Sequence, residues 1–292
     1  MTHTDPATPV DPLGPDSLLW KYLGDARAML FIGRSGTLQS MHPAVNAALQ
    51  QHSTFFDNPW DRLLRSIPQV LGMIYDADAR EETERVRDYH KPLKGIDEHG
   101  RRYHALDPEV FWWTHATFVE TCVALNDYFG TPLTDTEKDQ LIAEGAAWWR
   151  RYGLSERVVI DNYADFQRYW DRTIDEVLES NATTDYVTTL RHTKIPPLTG
   201  IPQPVWDLIW RPVMTANVWL ANGLMPTRCR DTLGWQWTRT DQALLAALAT
   251  TIRTIWPILP QRLRYHPRAY AGIRRTRHES ATPAGVHAHT AA

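Results

Sequence analysis

Cysteine is scarce in this chain of 292 residues: only Cys122 and Cys229 occur, far apart and in no paired spacing. Neither a disulfide framework nor a cysteine-based zinc site is suggested, and a reducing, cytoplasmic setting is expected. Long apolar runs are missing as well. No stretch of about 18 apolar residues occurs, and the N-terminus, rich in Thr, Pro and Asp, lacks the basic-then-apolar order of a signal peptide, so no membrane span is expected. Charge of neither sign dominates: 31 Lys and Arg stand against 34 Asp and Glu, a formal net charge of -3. That balance gives no electrostatic reason for a nucleic-acid partner. The locally basic end around Arg264, Arg268, Arg274 and Arg275 reads as a solvated face.

Familiar catalytic signatures are also absent. Gly33-Arg34-Ser35-Gly36 lacks the second spacing of a nucleophile elbow, and no phosphate-cradling Gly-rich loop or zincin motif is present. A di-iron carboxylate bundle needs Glu three residues before His. Arg87 holds that position before His90, and Trp112 holds it before His115. Hydrolase, nucleotide-binding and di-iron readings therefore fall.

Large rings, by contrast, are abundant, with 13 Trp and 11 Tyr. They serve either as core filler or as the walls of a pocket for a flat or apolar molecule, with Trp112, Trp113, Trp148 and Trp149 as candidates for lining. Apolar residues recur at helical spacing and β-branched alternation is scarce, which predicts an all-α fold. Asp107 as N-cap with Pro108 opens a helix to Tyr128, closed by Gly130 and Pro132. Thr134 with Glu137 forms a capping signature for a helix through Arg151. Further helices are expected over 16–30, 43–51, 62–75, 77–93, 163–179, 205–221, 241–256 and 267–277. Residues 95–107 read as a turn or short hairpin, and 192–204, with four prolines, as a loop within one domain. The organisation expected is a single helical domain over 17–277 between disordered tails at 1–16 and 278–292, whose His287 and His289 are weak metal candidates.

Two histidines lie on apolar helical faces: His90 with Val86 and Leu93, and His115 with Phe111, Trp112, Phe118, Val119 and Cys122. A neutral imidazole in such a place suits iron in a porphyrin, because one nitrogen can ligate while the other donates to a carbonyl. A hydrogen-bonded core histidine is the plainer reading of either residue.

Ordered motifs sharpen the choice. Leu38-Gln39 with His42-Pro43 is followed by Asn58-Pro59-Trp60-Asp61-Arg62-Leu63-Leu64-Arg65-Ser66. Next come His90-Lys91-Pro92-Leu93-Lys94-Gly95, Gly100 through Pro108, Trp113-Thr114-His115-Ala116-Thr117, and Leu224-Met225-Pro226 with Arg228, Leu233-Gly234 and Trp237. Over roughly residues 17 to 277 this set is similar to the family that holds the fungal oxygenase MpaB and the rubber oxygenases called latex clearing proteins. The resemblance implies a helical fold enclosing one haem b, whose iron activates dioxygen to oxidise an apolar, often unsaturated, small molecule. By the same matching His90 is the proximal iron ligand. The distal Arg, Lys and Thr of the rubber oxygenases fall on Arg62, Arg65 and Ser66, so the first is kept and the other two are altered. Asn46 stands where those enzymes carry an acidic residue proposed as base, which speaks against rubber cleavage itself. His42 and His115 match family positions too, His115 as a supporting or alternative haem contact. Cys229 lacks the surroundings of a thiolate haem loop. A haem sensor or carrier without turnover, or a helical binder of apolar ligands without haem, are the competing readings.

Overall fold

Helix punctuation in the sequence is realised atom by atom. The Asp107 carboxylate accepts from the Glu109 amide, Pro108 fills the first turn, and Gly130 ends the helix. Thr134 and Glu137 form a reciprocal capping box, the Thr134 hydroxyl accepting from the Glu137 amide while the Glu137 carboxylate accepts from the Thr134 amide. Each such cap satisfies amide donors that the first turn leaves without an intrahelical partner.

The computed structural model describes residues 13–194, 196–197 and 200–281, without the side chains of residues 60–64, 280 and 281. Among the described residues, fourteen α-helices follow in order: α1 (Leu18–Tyr22), α2 (Ile32–Ser40), α3 (Pro43–His52), α4 (Pro59–Tyr75), α5 (Ala79–Tyr89), α6 (Pro108–Phe129), α7 (Asp135–Arg151), α8 (Tyr163–Glu176), α9 (Ala182–Thr189), α10 (Gln203–Leu224), α11 (Thr227–Thr232), α12 (Arg239–Ile255), α13 (Gln261–Arg264) and α14 (Pro267–Ala281). The fold is all-α, as the periodicity predicts. A two-stranded antiparallel hairpin, β1 (Lys94–Ile96) and β2 (Arg102–His104), pairs Gly95 with Tyr103. None of the described helices is long and apolar enough to cross a membrane.

α6 is apolar on nearly every side and is packed against α1, α2, α7 and α12, which is what an all-round apolar helix requires. On one side Trp112, His115 and Cys122 meet α7, where Trp148 and Trp149 are fully buried. On the other side Thr117 and Thr121 meet α2: the Gln39 amide donates to the Thr117 hydroxyl at 2.7 Å, and Ser35 and Thr121 share a hydrogen bond at 2.9 Å.

Several expectations are corrected. One helix over 16–30 gives way to α1, a turn at Gly24 and a 3₁₀ segment (Ala26–Phe31), with Gly24 packed so closely that a Cβ there would lie 2.3 Å from the Ala269 Cβ and 2.8 Å from the Tyr75 hydroxyl. That hydroxyl accepts from the Gly24 amide at 2.8 Å and donates to the Trp20 carbonyl at 2.6 Å. Leu13, expected in a tail, belongs to the core, and α14 runs through 278 to Ala281. The remaining tail positions, His287 and His289 included, lie outside the described residues. Arg268 and Arg275, expected on a solvated face, fasten α14 to α4: Arg268 donates to the Pro68 carbonyl at 2.7 Å and pairs with Asp76, and Arg275 donates to the Tyr75 carbonyl at 2.7 Å. Residues 32–40, 182–189 and 227–232, for which no helix is expected, are α2, α9 and α11.

Candidate functional site

A helix bundle leaves space inside wherever small residues face one another, and here α2 supplies them. Gly33, Ser35, Gly36, Thr37 and Ser40 line a cavity of about 210 Å³ that α3, α4, α6, α9 and α10 complete. At Gly36 an added Cβ would find nothing within 4 Å. The remaining wall is mostly aliphatic, with Phe55 and Phe118 as its rings and Met214 at α10. No charged side chain lines it among the described residues.

Most polar groups of the wall are already satisfied. The Thr37 hydroxyl donates to the Gly33 carbonyl at 2.7 Å, Ser40 to the Thr37 carbonyl at 3.0 Å, Thr121 to the Thr117 carbonyl at 2.7 Å, and Thr183 to the Asn46 side-chain oxygen at 2.6 Å. Two stand apart. The Ser66 hydroxyl of α4 and the Asn217 amide of α10 line the cavity and make no hydrogen bond within the described protein. Composition and motif offer no signal for Asn217.

The four tryptophans considered for lining are 0 to 2% exposed and none reaches the cavity; they are core. Arg65, expected on the oxygen side with Ser66, is exposed and off the cavity wall. The side chain of Arg62 lies outside the described residues.

The three candidate histidines are in different chemical states. His42 caps α3, its Nδ1 accepting from the Ala44 amide at 3.2 Å. Burial, reinforced by the Arg101 charge, lowers its pKa to about 4. His115 is sealed against Trp112 and Trp148, and its Nε2 faces the Gly145 carbonyl at 2.9 Å. A carbonyl only accepts, so Nε2 carries the proton. Nδ1 keeps a lone pair that meets no partner, and burial lowers the pKa to about 4. His90 caps the end of α5, half-buried, its ring edge-on to Phe111 at 5.3 Å. Its Nδ1 lies 2.8 Å from the Val86 carbonyl. Nδ1 is therefore the donor, and in the neutral ring Nε2 carries the lone pair, the tautomer in which an imidazole ligates iron.

The motif glycine five residues beyond His90 has a packing cause. A Cβ on Gly95 would fall 2.2 Å from the Gln51 side-chain oxygen, and Gln51 itself donates to the Ile96 carbonyl at 2.8 Å and accepts from the Tyr103 hydroxyl at 2.9 Å. The hairpin is thereby docked on α3. Asn46, on the same helix, is committed to Thr183 and to Glu98, to which its amide donates at 3.1 Å.

Among the described residues no three His, Cys, Asp or Glu side chains converge as a metal site. Both thiols are buried and free, and burial pushes the Cys229 thiol up to about 12, which disfavours a thiolate ligand. An iron held by His90 needs its remaining ligands from elsewhere, and a porphyrin supplies them. By donor chemistry His90 fits a haem, whereas His115, with its free nitrogen walled by indoles, does not. His90 is not among the residues lining the cavity.

Together these features define a helical domain with an internal chamber whose described lining is uncharged and mostly apolar. The chain belongs to the family described as ER-bound oxygenase mpaB/B'/rubber oxygenase, catalytic domain, whose model matches residues 20–254. It is an oxygenase-family domain, and hence an oxidoreductase by class. Neither the curated proteins nor the solved structures yield a significant match.

Proposed function

We propose that the domain is a haem b-dependent oxygenase acting with dioxygen on an apolar small molecule, with His90 as the iron's protein ligand. The observation that carries the proposal is the His90 ring, whose Nδ1 is engaged by the Val86 carbonyl and whose Nε2 holds the lone pair. Haem, when bound, supplies dioxygen activation. The chain's own residues do the rest. The Val86 carbonyl fixes the imidazole's orientation. Apolar walls exclude water and take the substrate. The Ser66 hydroxyl, without a protein partner, donates to or accepts from an oxygen atom in the chamber. Position 62 lies one helical turn before Ser66 on α4 and carries the arginine that the rubber oxygenases keep on their distal side.

The absorption spectrum of the protein purified from haem-sufficient cells tests this. A Soret band near one haem per chain is expected, lost in His90→Ala and retained in His115→Ala. Retention in the first with loss in the second reverses the assignment. One observation favours a second reading: no histidine lines the chamber among the described residues. An apolar-ligand binder without haem has such a chamber and shows no Soret band at all.

A further inference from the structure

The lining of the chamber says what kind of molecule it takes. A charged ligand brought into an uncharged, apolar enclosure loses its hydration without a counter-charge, the costliest form of burial. The described wall contains no Lys, Arg, His, Asp or Glu. The described wall thus offers a carboxylate, phosphate or ammonium ion no counter-charge. A pure hydrocarbon, in turn, leaves the Asn217 amide with nothing to bond. Seven polar side chains line the wall besides Asn217, and all but Ser66 are already hydrogen-bonded within the protein.

Asn217 is also held in position. It projects from α10 against α2: a Cβ on Gly33 would stand 3.1 Å from the Asn217 side-chain oxygen and 2.9 Å from the Ala221 Cβ. Its amide offers both a donor and an acceptor, which is the pairing a hydroxyl satisfies in full and a carbonyl in half.

We infer that Asn217 is a specificity-determining residue of the chamber, selecting largely apolar ligands that carry one uncharged oxygen function, an alcohol or a ketone, over pure hydrocarbons. The oxygen is held at α10. Resting on the oxygenase reading, the apolar end is then the part offered to Ser66 and α4.

Calorimetric titration of the purified protein at pH 7 with 1-hexanol and hexane tests this. Hexanol should bind several-fold to about tenfold tighter than hexane, the range of one net hydrogen bond. Asn217→Leu should leave hexane binding in place and erase the preference for hexanol, while Asn217→Ser, which keeps a hydroxyl, should retain part of it. An unchanged preference in Asn217→Leu, or no binding of either compound, would overturn the inference. The Soret band of the same preparations reports on the oxygenase reading separately. Selectivity without haem leaves Asn217's role standing and removes the reading above it; haem without selectivity does the reverse.

Discussion

The two sides of α6 are built on opposite plans. Toward α7 the packing is aromatic and closed: Trp112, His115, Trp148, Trp149 and Tyr152 meet ring to ring at 4.7 to 6.3 Å, and all are nearly solvent-free. Toward α2 the packing is aliphatic and open, with glycine and hydroxyl residues around a chamber. The closed side even leaves polar atoms unmet, since the indole nitrogens of Trp112 and Trp148 and Nδ1 of His115 have no partner. Such a side holds the fold and leaves no room for a ligand. A ligand must go to the side where residues are small, and the residues most conspicuous in the sequence are on the wrong one.

The largest expected effect lies in the tie that fastens α2 to α6 on the open side. Arg34 of α2 donates to both carboxylate oxygens of Glu120 on α6, at 2.5 and 2.7 Å, and to the Leu224 carbonyl at the end of α10 at 2.9 Å. Removing one partner of a buried ion pair strands the other charge, at about 3 to 5 kcal/mol. Arg34→Ala should lose that much stability in urea unfolding at pH 7. A loss under 1 kcal/mol would mean that α2 is held by its chamber contacts instead.

The closed side is tested by acid. The His115 ring, ordinarily near 6.5, titrates near 4 when folded because burial disfavours its charged form. Between these values the unfolded chain binds the extra proton, so stability is full above about pH 6.5 and falls as pH drops toward 4, by about 3 kcal/mol for this group. His42, lowered to about 4 by burial and by Arg101, adds a second loss of the same sign in the same window. His115→Leu should therefore cost about 1 to 3 kcal/mol at pH 7, by orphaning the Gly145 carbonyl, yet lose markedly less than the parent between pH 7 and 4.5. Equal acid losses in the two proteins would place the proton elsewhere.

How far the sequence speaks for itself follows from the same contrast. Long helices with explicit caps, such as α6 and α7, are local objects, and Asp107, Pro108, Thr134 and Glu137 announce them. The hairpin at 95–107 and the helical class are legible for the same reason. α2 is not, because Gly33 and Gly36 lower its local propensity and only its neighbours make it a helix. The chamber is illegible altogether, since it is space left between α2, α4, α9 and α10, which are far apart in the chain. His90 stands out through its motif and through the tautomer that the fold imposes. The tryptophans mislead because ring content cannot tell wall from filler.

Two glycines one turn apart on α2 give the smallest and sharpest test of the open side. Gly33 faces α10, where an added methyl meets the Ala221 Cβ at 2.9 Å, so Gly33→Ala should overpack and destabilise by about 1 to 3 kcal/mol. Gly36 faces the chamber, where the same methyl meets nothing within 4 Å. It lies in mid-helix and its φ is not positive, so nothing in the backbone needs glycine. Gly36→Ala should thus stabilise by about 0.5 to 1 kcal/mol through helix propensity and reduced freedom of the unfolded chain. Opposite signs from one substitution, three residues apart in one helix, are what a helix contact at Gly33 and open space one turn on at Gly36 require. Gly36→Leu extends the test: the longer side chain should keep the helix stable while occupying the space a ligand uses, so hexane binding should fall although the melting temperature does not. A Gly36→Ala protein that is destabilised as much as Gly33→Ala would mean that the space beside Gly36 is closed in solution, and the open side of α6 would then be packed like the other.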